Sequence, residues 1–519
     1  MYITQSLRRA VQMGAERIAT RCGSRVKTWG EFEQRVASFA GALQSLSVQS
    51  DDRVAILALN SDRYLETYFA IPWTDAVVVP INVRLAPPEI IYTLNDSGTK
   101  VLIIDDAFAA MLPAFEGQLD TVEHIIFAGD HEAPAGTLNY ELLIEEADPI
   151  EDEGRGGQEI AGLFYTGGTT GRSKGVMLSH NNIISNAANV VASMGYTDST
   201  SYLHAAPMFH LADGASTFAV TIVGGTHCFI PKFTPTDFLT SVSNFKVTHG
   251  LLVPTMINML INEPTLSDYD LSSLSRLLYG ASPMPEAVLL QAMKTFPNCR
   301  FLQGYGMTET SPLITFLSDE YHVTTGDKTG KLASAGRAGI TVEVMIADEN
   351  DNEVPRHTVG EVLTRGPHVM LGYWKMPELS ETTLRRGWMH TGDMAYMDDE
   401  GFIYIVDRNK DMIISGGENV YSTEVETALY AHPAVKECAV IGIPHEQWGE
   451  QVHAVVVLQA DQKTSEGDLI SHCKSLIAGY KCPRSISFRE EPLPLSGAGK
   501  ILKTELRKPF WKDKNKQVS

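Results

Sequence analysis

Cysteine is scarce in this chain. Six thiols (Cys22, Cys228, Cys299, Cys438, Cys473, Cys482) are scattered through 519 residues without one Cys-x-x-Cys pair. Cys473 and Cys482 lie nine apart, which matches no common zinc spacing. A disulfide framework and a zinc ribbon are thereby excluded, and reduced thiols are expected. Long apolar runs are missing too: none approaches the ~20 residues that span a bilayer. The opening MYITQSLRRAVQMGAER lacks the apolar core of a signal peptide. A soluble, cytoplasmic protein without a transmembrane segment is expected. Positive charge is in deficit, with 42 Lys+Arg against 63 Asp+Glu and a net charge of −21. That excludes a chain coated in basic surface for nucleic acid, though not a local basic pocket for a small anion. No 20–50-residue repeat is present, which excludes solenoids and propellers.

What is present is alternation. Strand-length apolar runs at 54–60, 76–82, 101–106 and 124–129 alternate with helically spaced segments at 61–74, 86–95 and 106–117. Continuous apolar strands suit a parallel sheet covered on both faces, so the pattern predicts α/β architecture. It resumes after 160 with IAGLFY, a glycine-rich loop and a helix near 180–194, then strands at 226–230, 248–253, 274–280 and 299–305. The acidic stretch 145–157 reads as a link between two layouts. Near 335 the texture changes: GITVEVMIAD and GEVLTRG alternate apolar and polar residues, as a half-exposed antiparallel sheet does. A further strand is predicted over 401–408. Beyond a polar, glycine-bearing junction, helices at 422–431 and 464–478 and strands at 435–443 and 451–459 predict a compact α+β unit.

The strongest local signal is LFYTGGTTGRSKGVMLSH, 163–180. An apolar strand runs into Thr166, Gly167, Gly168, Thr169, Thr170 and Gly171, then Arg172, Ser173 and Lys174. Glycines let backbone N–H groups turn inward around phosphate oxygens, threonine hydroxyls add donors, and Lys174 adds positive charge. Lys174 is preceded by Ser173 and followed by Gly175, so this is not the Walker loop. The plain alternative, a surface loop, seldom combines this many glycines, threonines and a lysine directly after an apolar strand. The segment resembles the signature loop of the adenylate-forming superfamily: acyl-CoA synthetases, non-ribosomal adenylation domains and beetle luciferases. Gly167 stands where the commonest form has serine, and Ser173 where it has proline, a change expected to loosen the loop.

The resemblance extends along essentially the whole chain. In GYGMTETSP, 304–312, Glu309 is a carboxylate suited to Mg²⁺, Thr308 a donor to phosphate, and Tyr305 a flat face for adenine. Alone this is a loop with a helix cap; the resemblance implies the binding roles, with Gly306 and Met307 beside them. It also implies that Gly280, Ala281 and Ser282 line the adenine and that Asp393 of HTGD and Arg408 of DRNKD hold the ribose. Lys410 would be a hinge, and Ser415, Gly416, Gly417 and Glu418 would meet coenzyme A. Lys500 of GAGK reads as a solvated lysine by itself, and the resemblance makes it the lysine of adenylation. His210 in PMFHLAD is by default a satisfied core histidine. The resemblance places it near the substrate carboxylate, as a gate for thioester formation. Amino-acid-activating relatives carry aspartate there.

These matches imply a large multi-layer N-terminal domain with α/β sheets and a distorted β-barrel over 1–407, a hinge at 408–411, and a small mobile α+β domain over 412–519. They imply ATP, Mg²⁺ and coenzyme A, with a small carboxylic acid as substrate; a homodimer is compatible with them. Lys500, His210, Thr308, Glu309 and Gly417 are the expected catalytic positions. The apolar candidates Phe209, Leu211, Val253, Met256 and Met284, together with an opening at Gly306 where acetate-specific relatives carry a bulky aromatic, predict a medium- or long-chain fatty, aryl or cyclic acid. Three rival readings share the motifs: loading of a carrier protein, a luciferase-like oxygenase, and a non-catalytic nucleotide-binding regulator. Basic residues gather at the two ends: residues 1–30 and 500–519 each carry a surplus of five positive charges, and the rest of the chain is correspondingly more acidic.

Overall fold

A computed structural model describes the chain apart from residues 167–172, 283, 409–410, 416–417, 446–447, 461, 496–500 and 512–519, with backbone alone at 407, 408, 414, 418, 419 and 449. Two large sheets dominate. One has eight strands in the order Gly372–Tyr373, Lys174–Ser179, Ile160–Thr166, Val77–Pro80, Arg53–Leu57, Thr99–Ile104, His124–Phe127, Leu138–Asn139. The other has nine, and its centre is a run of neighbouring parallel strands: Arg300–Gly306, Arg276–Gly280, His249–Leu252 and Ser201–His204. The continuous apolar runs thus lie in covered, largely parallel sheets, as the pattern predicts.

Helices fill the space between the two sheets. The helix Asp62–Trp73 starts on Ser61, whose side chain accepts from the Tyr64 N–H, and all its residues are buried. One apolar core joins Val54, Ile56 and Val78 of the first sheet, Tyr202, Leu278 and Leu302 of the second, and Trp29, Phe32, Tyr68, Phe69 and Phe218 from the helices. Each such large side chain contributes about 1.5–3 kcal/mol on burial. Polar positions of the same helix are met by charge: Asp62 and Glu66 are fully buried against Arg25, Lys27 and Arg35.

Two local expectations change. The segment 106–117 forms a short 3₁₀ turn, Ala109–Met111, and one helical turn, Leu112–Phe115, because Pro113 suits the first turn of a helix and not its interior. The acidic stretch 145–157 returns the chain from the edge of the eight-stranded sheet to its middle, and so connects strands of one sheet. The helix expected near 180–194 forms, and a strand not expected from the sequence precedes it. Lys174–Ser179 is a strand, paired antiparallel with Ile160–Thr166, and the helix His180–Met194 begins only after it, capped by Ser179.

The antiparallel unit expected as a distorted barrel consists of Glu343–Ala347, Gly360–Arg365, Leu384–Arg385, Trp388–Met397 and Ile403–Arg408. The smaller C-terminal unit is a second five-stranded sheet carrying Ser422–Tyr430, Glu466–Leu476 and Lys503–Trp511. Its own core gathers Ile413, Val425, Leu429, Val440, Val452, Val456 and Leu469. The thiols are unbridged; five are buried and Cys22 partly so.

Candidate active site

Side chains placed just beyond the carboxyl ends of neighbouring parallel strands share one crevice. Four such segments lie side by side here: Tyr305 and Gly306, then Gly280–Ser282, then Val253, then residues 205–210. At ~4.8 Å per strand the row extends roughly 14 Å, enough for a nucleotide at one end and an acid at the other. Segments roughly 25–50 positions apart in sequence become neighbours through strand order, and segments a hundred apart join one row.

At the nucleotide end the strands approach closely. A side chain on Gly280 would meet the Gly304 carbonyl at 2.2 Å, so these paired glycines keep the backbone flat where an adenine would lie. Ala281 follows with φ +65°, turning the chain out of the strand toward Ser282. The Tyr305 hydroxyl donates to Asp393 Oδ2 at 2.8 Å, and Asp393, 8% exposed, pairs in register with Arg408 on the next strand. The proposed adenine platform and both ribose residues therefore share one corner, with the Arg408 side chain outside the described residues.

The phosphate end is built from three separate stretches. Thr166 and Lys174 pair across the hairpin, so its connection is the signature loop, of which Gly167, Gly168, Thr169, Thr170 and Gly171 lie outside the described residues. On the other side of the second hairpin strand, Tyr373 pairs with Val176. The Tyr373 ring carries the Lys174 ammonium 4.4 Å from its centroid, while its hydroxyl donates to Glu309 Oε1 at 2.9 Å. Burial and the Glu309 carboxylate push the Tyr373 phenol well above its ordinary pKa, so it stays protonated and keeps donating. Glu309 sits on the 3₁₀ turn Thr308–Thr310 and is 6% exposed. Among the described residues its Oε2 has no hydrogen-bond partner, and no group of three or more His, Cys, Asp and Glu could hold a metal. A lone buried carboxylate beside a phosphate loop fits Mg²⁺, which takes one or two carboxylates and completes its shell with phosphate oxygens and water. Sequence reasoning missed Tyr373; GYW at 372–374 carries no motif and gains its place only through strand pairing.

At the far end, His210 is the N-cap of Leu211–Val223, its Nδ1 accepting from the Ala212 N–H at 3.1 Å. Phe209, Leu211 and Val253 are buried. Met256 and Met284 are half-buried, packed against the core that contains Leu252, Ile257 and Tyr279, whereas Phe209 and Leu211 belong to the inter-sheet core. Gly306 has a steric role. A Cβ there would lie 2.0 Å from the Pro312 carbonyl oxygen and 2.9 Å from the Leu313 Cα, so the backbone neighbour requires the glycine independently of any opening for substrate.

In the C-terminal unit Ser415 pairs with Glu418, so Gly416 and Gly417 connect paired strands but lie outside the described residues, as do Lys410, Lys500 and the Glu418 side chain. A bridge between Leu495 and Ile501 closes the base of the segment that contains Lys500.

Comparison with known proteins gives the family. The family model for AMP-binding enzymes matches residues 7–374, and that for the AMP-binding enzyme C-terminal domain matches 424–500. The chain belongs to the AMP-binding enzyme family. A feruloyl-CoA synthase from Amycolatopsis sp is 40% identical over 97% of this chain and 98% of its own length. A long-chain-fatty-acid–CoA ligase from Thermus thermophilus is 36% identical over 93% and 90%. Among solved structures, the anthranilate CoA ligase AuaEII in complex with anthranoyl-AMP superposes with a TM-score of 0.90 at 28% identity, covering 98% of this chain and 97% of that one. For this AMP-binding enzyme the large N-terminal and smaller C-terminal division holds.

Proposed function

We propose that this AMP-forming acyl-CoA ligase activates a hydrophobic aryl or fatty acid with ATP and passes the acyl group to coenzyme A. The observation that carries the reading is the row of strand ends, with the Lys174–Tyr373–Glu309 contact at one end and apolar residues around His210 at the other. In the first half-reaction a carboxylate oxygen attacks the α-phosphorus, and pyrophosphate leaves. The work is alignment and charge stabilisation. Tyr305 and the flat Gly280–Ser282 edge receive adenine, and Asp393 accepts from the ribose hydroxyls. Lys174 and the signature loop hold the phosphates, and Lys500 bridges carboxylate and α-phosphate. Glu309 would hold Mg²⁺, which when bound neutralises phosphate charge. In the second half-reaction the C-terminal domain turns about Lys410, the 415–418 segment replaces Lys500, and the coenzyme A sulfur attacks the acyl carbonyl as AMP leaves.

The acid-side residues Phe209, Leu211, Val253, Met256 and Met284 offer no charged partner for a second carboxylate or an ammonium, which favours an apolar acid. The likeness to a feruloyl-CoA synthase puts aryl acids first. The test is acid-dependent ATP–pyrophosphate exchange across acetate, malonate, octanoate, palmitate, benzoate, cinnamate and ferulate, followed by coenzyme A-dependent AMP release. Highest kcat/KM with an aryl or long-chain acid is expected; preference for acetate or malonate refutes the reading. Thioester formation with a carrier protein but not with free coenzyme A would redirect it.

A further inference from the structure

Residues 205–210 form the acid-side wall, yet they belong to no helix or strand ladder. Their backbone groups must find partners elsewhere. Some bond to nearby backbone, as the His210 N–H does to the Pro207 carbonyl, and others between 204 and 208 converge on one asparagine and one tyrosine. Asn60, 4% exposed, lies between the strand Arg53–Leu57 of the eight-stranded sheet and the helix Asp62–Trp73. Its Nδ2 donates to the carbonyls of His204 at 3.1 Å and Ala206 at 2.9 Å, and its Oδ1 accepts from the Met208 N–H at 2.8 Å. Both amide hydrogens and the amide oxygen are thus committed to this segment. Tyr68, one turn and a half along the helix, donates its hydroxyl to the Met208 carbonyl at 2.7 Å. Met208 is therefore gripped at its N–H and its C=O by side chains from another layer of the molecule. Phe209 and the helix-capping His210 follow directly.

The two flanks of the segment are fixed independently. Asp213, fully buried on the helix after His210, accepts from the Tyr202 hydroxyl at 3.0 Å and lies 2.5 Å from His204 Nδ1. The strand before the segment and the helix after it are locked together, which leaves the position of 206–209 to Asn60 and Tyr68.

We infer that Asn60, with Tyr68, is a positioning residue that sets Phe209 and His210 against the acid. The inference rests on the reading of 205–210 as the acid-side wall. The nucleotide residues hang on other strands and on the hairpin, so releasing the clamp moves the acid wall and spares them. A displacement near 1 Å at reacting groups lowers turnover by up to ~100-fold.

The experiment compares Tyr68→Phe and Asn60→Ala with wild type. It measures KM for the best acid of the panel, the ratio of kcat/KM for aryl against fatty acids, ATP binding by calorimetry without acid, and thermal midpoint. Tyr68→Phe removes one bond and keeps the ring in its core, so it reports even where Asn60→Ala, which removes three hydrogen bonds and leaves the Ala206 carbonyl and the Met208 N–H without them, fails to fold. Expected is a rise in acid KM of roughly 3–10-fold for Tyr68→Phe and more for Asn60→Ala, with an altered acid ratio and ATP affinity within about twofold, the scale of one and of several lost hydrogen bonds. An active wild type whose folded variants keep the same acid KM and ratio, or lose ATP affinity in parallel, overturns the clamp alone. A wild type that exchanges pyrophosphate with no acid overturns the parent reading and the clamp with it.

Discussion

Tyr373 shows how much chemistry one unremarked residue can concentrate. Its ring takes the Lys174 cation and its hydroxyl the Glu309 carboxylate, so it spaces the lysine proposed to bind phosphate from the carboxylate proposed to hold the metal. Tyr373→Phe keeps the ring and deletes the bond to a carboxylate, an interaction worth about 1.5–3 kcal/mol. A fall of roughly 10–100-fold in kcat/KM for ATP is expected with little change in KM for the acid, since each 1.4 kcal/mol is tenfold; steady-state kinetics with each substrate varied would show it, and an equal effect on both would refute it. Gly306 makes the opposite point. The sequence suggests an opening for substrate, yet its missing Cβ is the condition for the approach of Pro312. Gly306→Ala forces a backbone shift and is expected to cost about 1–3 kcal/mol of stability, as overpacking does. Denaturant unfolding checks this; an unchanged midpoint would refute the steric requirement.

At the scale of elements, the proposed mechanism divides the two half-reactions between two short segments of the C-terminal unit. The bridge Leu495–Ile501 and the pair Ser415–Glu418 fix the bases of the segments that carry Lys500 and the two glycines. Lys500→Ala is expected to abolish acid-dependent pyrophosphate exchange while sparing thioester formation from a supplied acyl-adenylate. Normal exchange would remove Lys500 from the first step. Lys410→Pro, which restricts φ at the proposed hinge, is expected to do the reverse: exchange persists and thioester formation falls by at least tenfold. Unimpaired thioester formation would move the hinge elsewhere. The signature loop is likewise an element-scale device. It joins two antiparallel strands rather than a strand and a helix, so phosphate binding there, as proposed, would draw on backbone N–H groups and Lys174 and not on a helix terminus.

Across the whole molecule, burial sets an acid limit. His180, His249, His322 and His368 are nearly or fully enclosed, and desolvation lowers each from 6.5 to about 4. In the unfolded chain they bind protons near pH 6.5. Between about 6.5 and 4 the unfolded state therefore takes up protons that the native state refuses, and stability falls by up to about 1.4 kcal/mol per pH unit for each. Asp105 acts against this: burial raises it to about 6, so the folded carboxyl gains a proton first and adds stability over part of that window. Four groups outweigh one. The urea midpoint is expected to drop between pH 7.5 and pH 5, and a flat or rising profile would show that the histidines stay hydrated.

Much of this was legible in the residues. Periodicity distinguishes covered parallel strands from the half-exposed antiparallel unit because side chains report the faces they occupy, and the helix His180–Met194 follows from its cap and spacing. Local motifs identify the chemistry because phosphate, ribose and metal each demand particular atoms. By themselves the residues determined the layer architecture and the nucleotide motifs. Only the tertiary structure decided which strand ends stand side by side, that Tyr373 joins Lys174 to Glu309, that Gly306 answers to Pro312, and that Asn60 holds the acid wall. The physical reason is common to all four: each depends on strand order or on a contact between distant segments, and a chain encodes such contacts collectively, with no local signal to mark them.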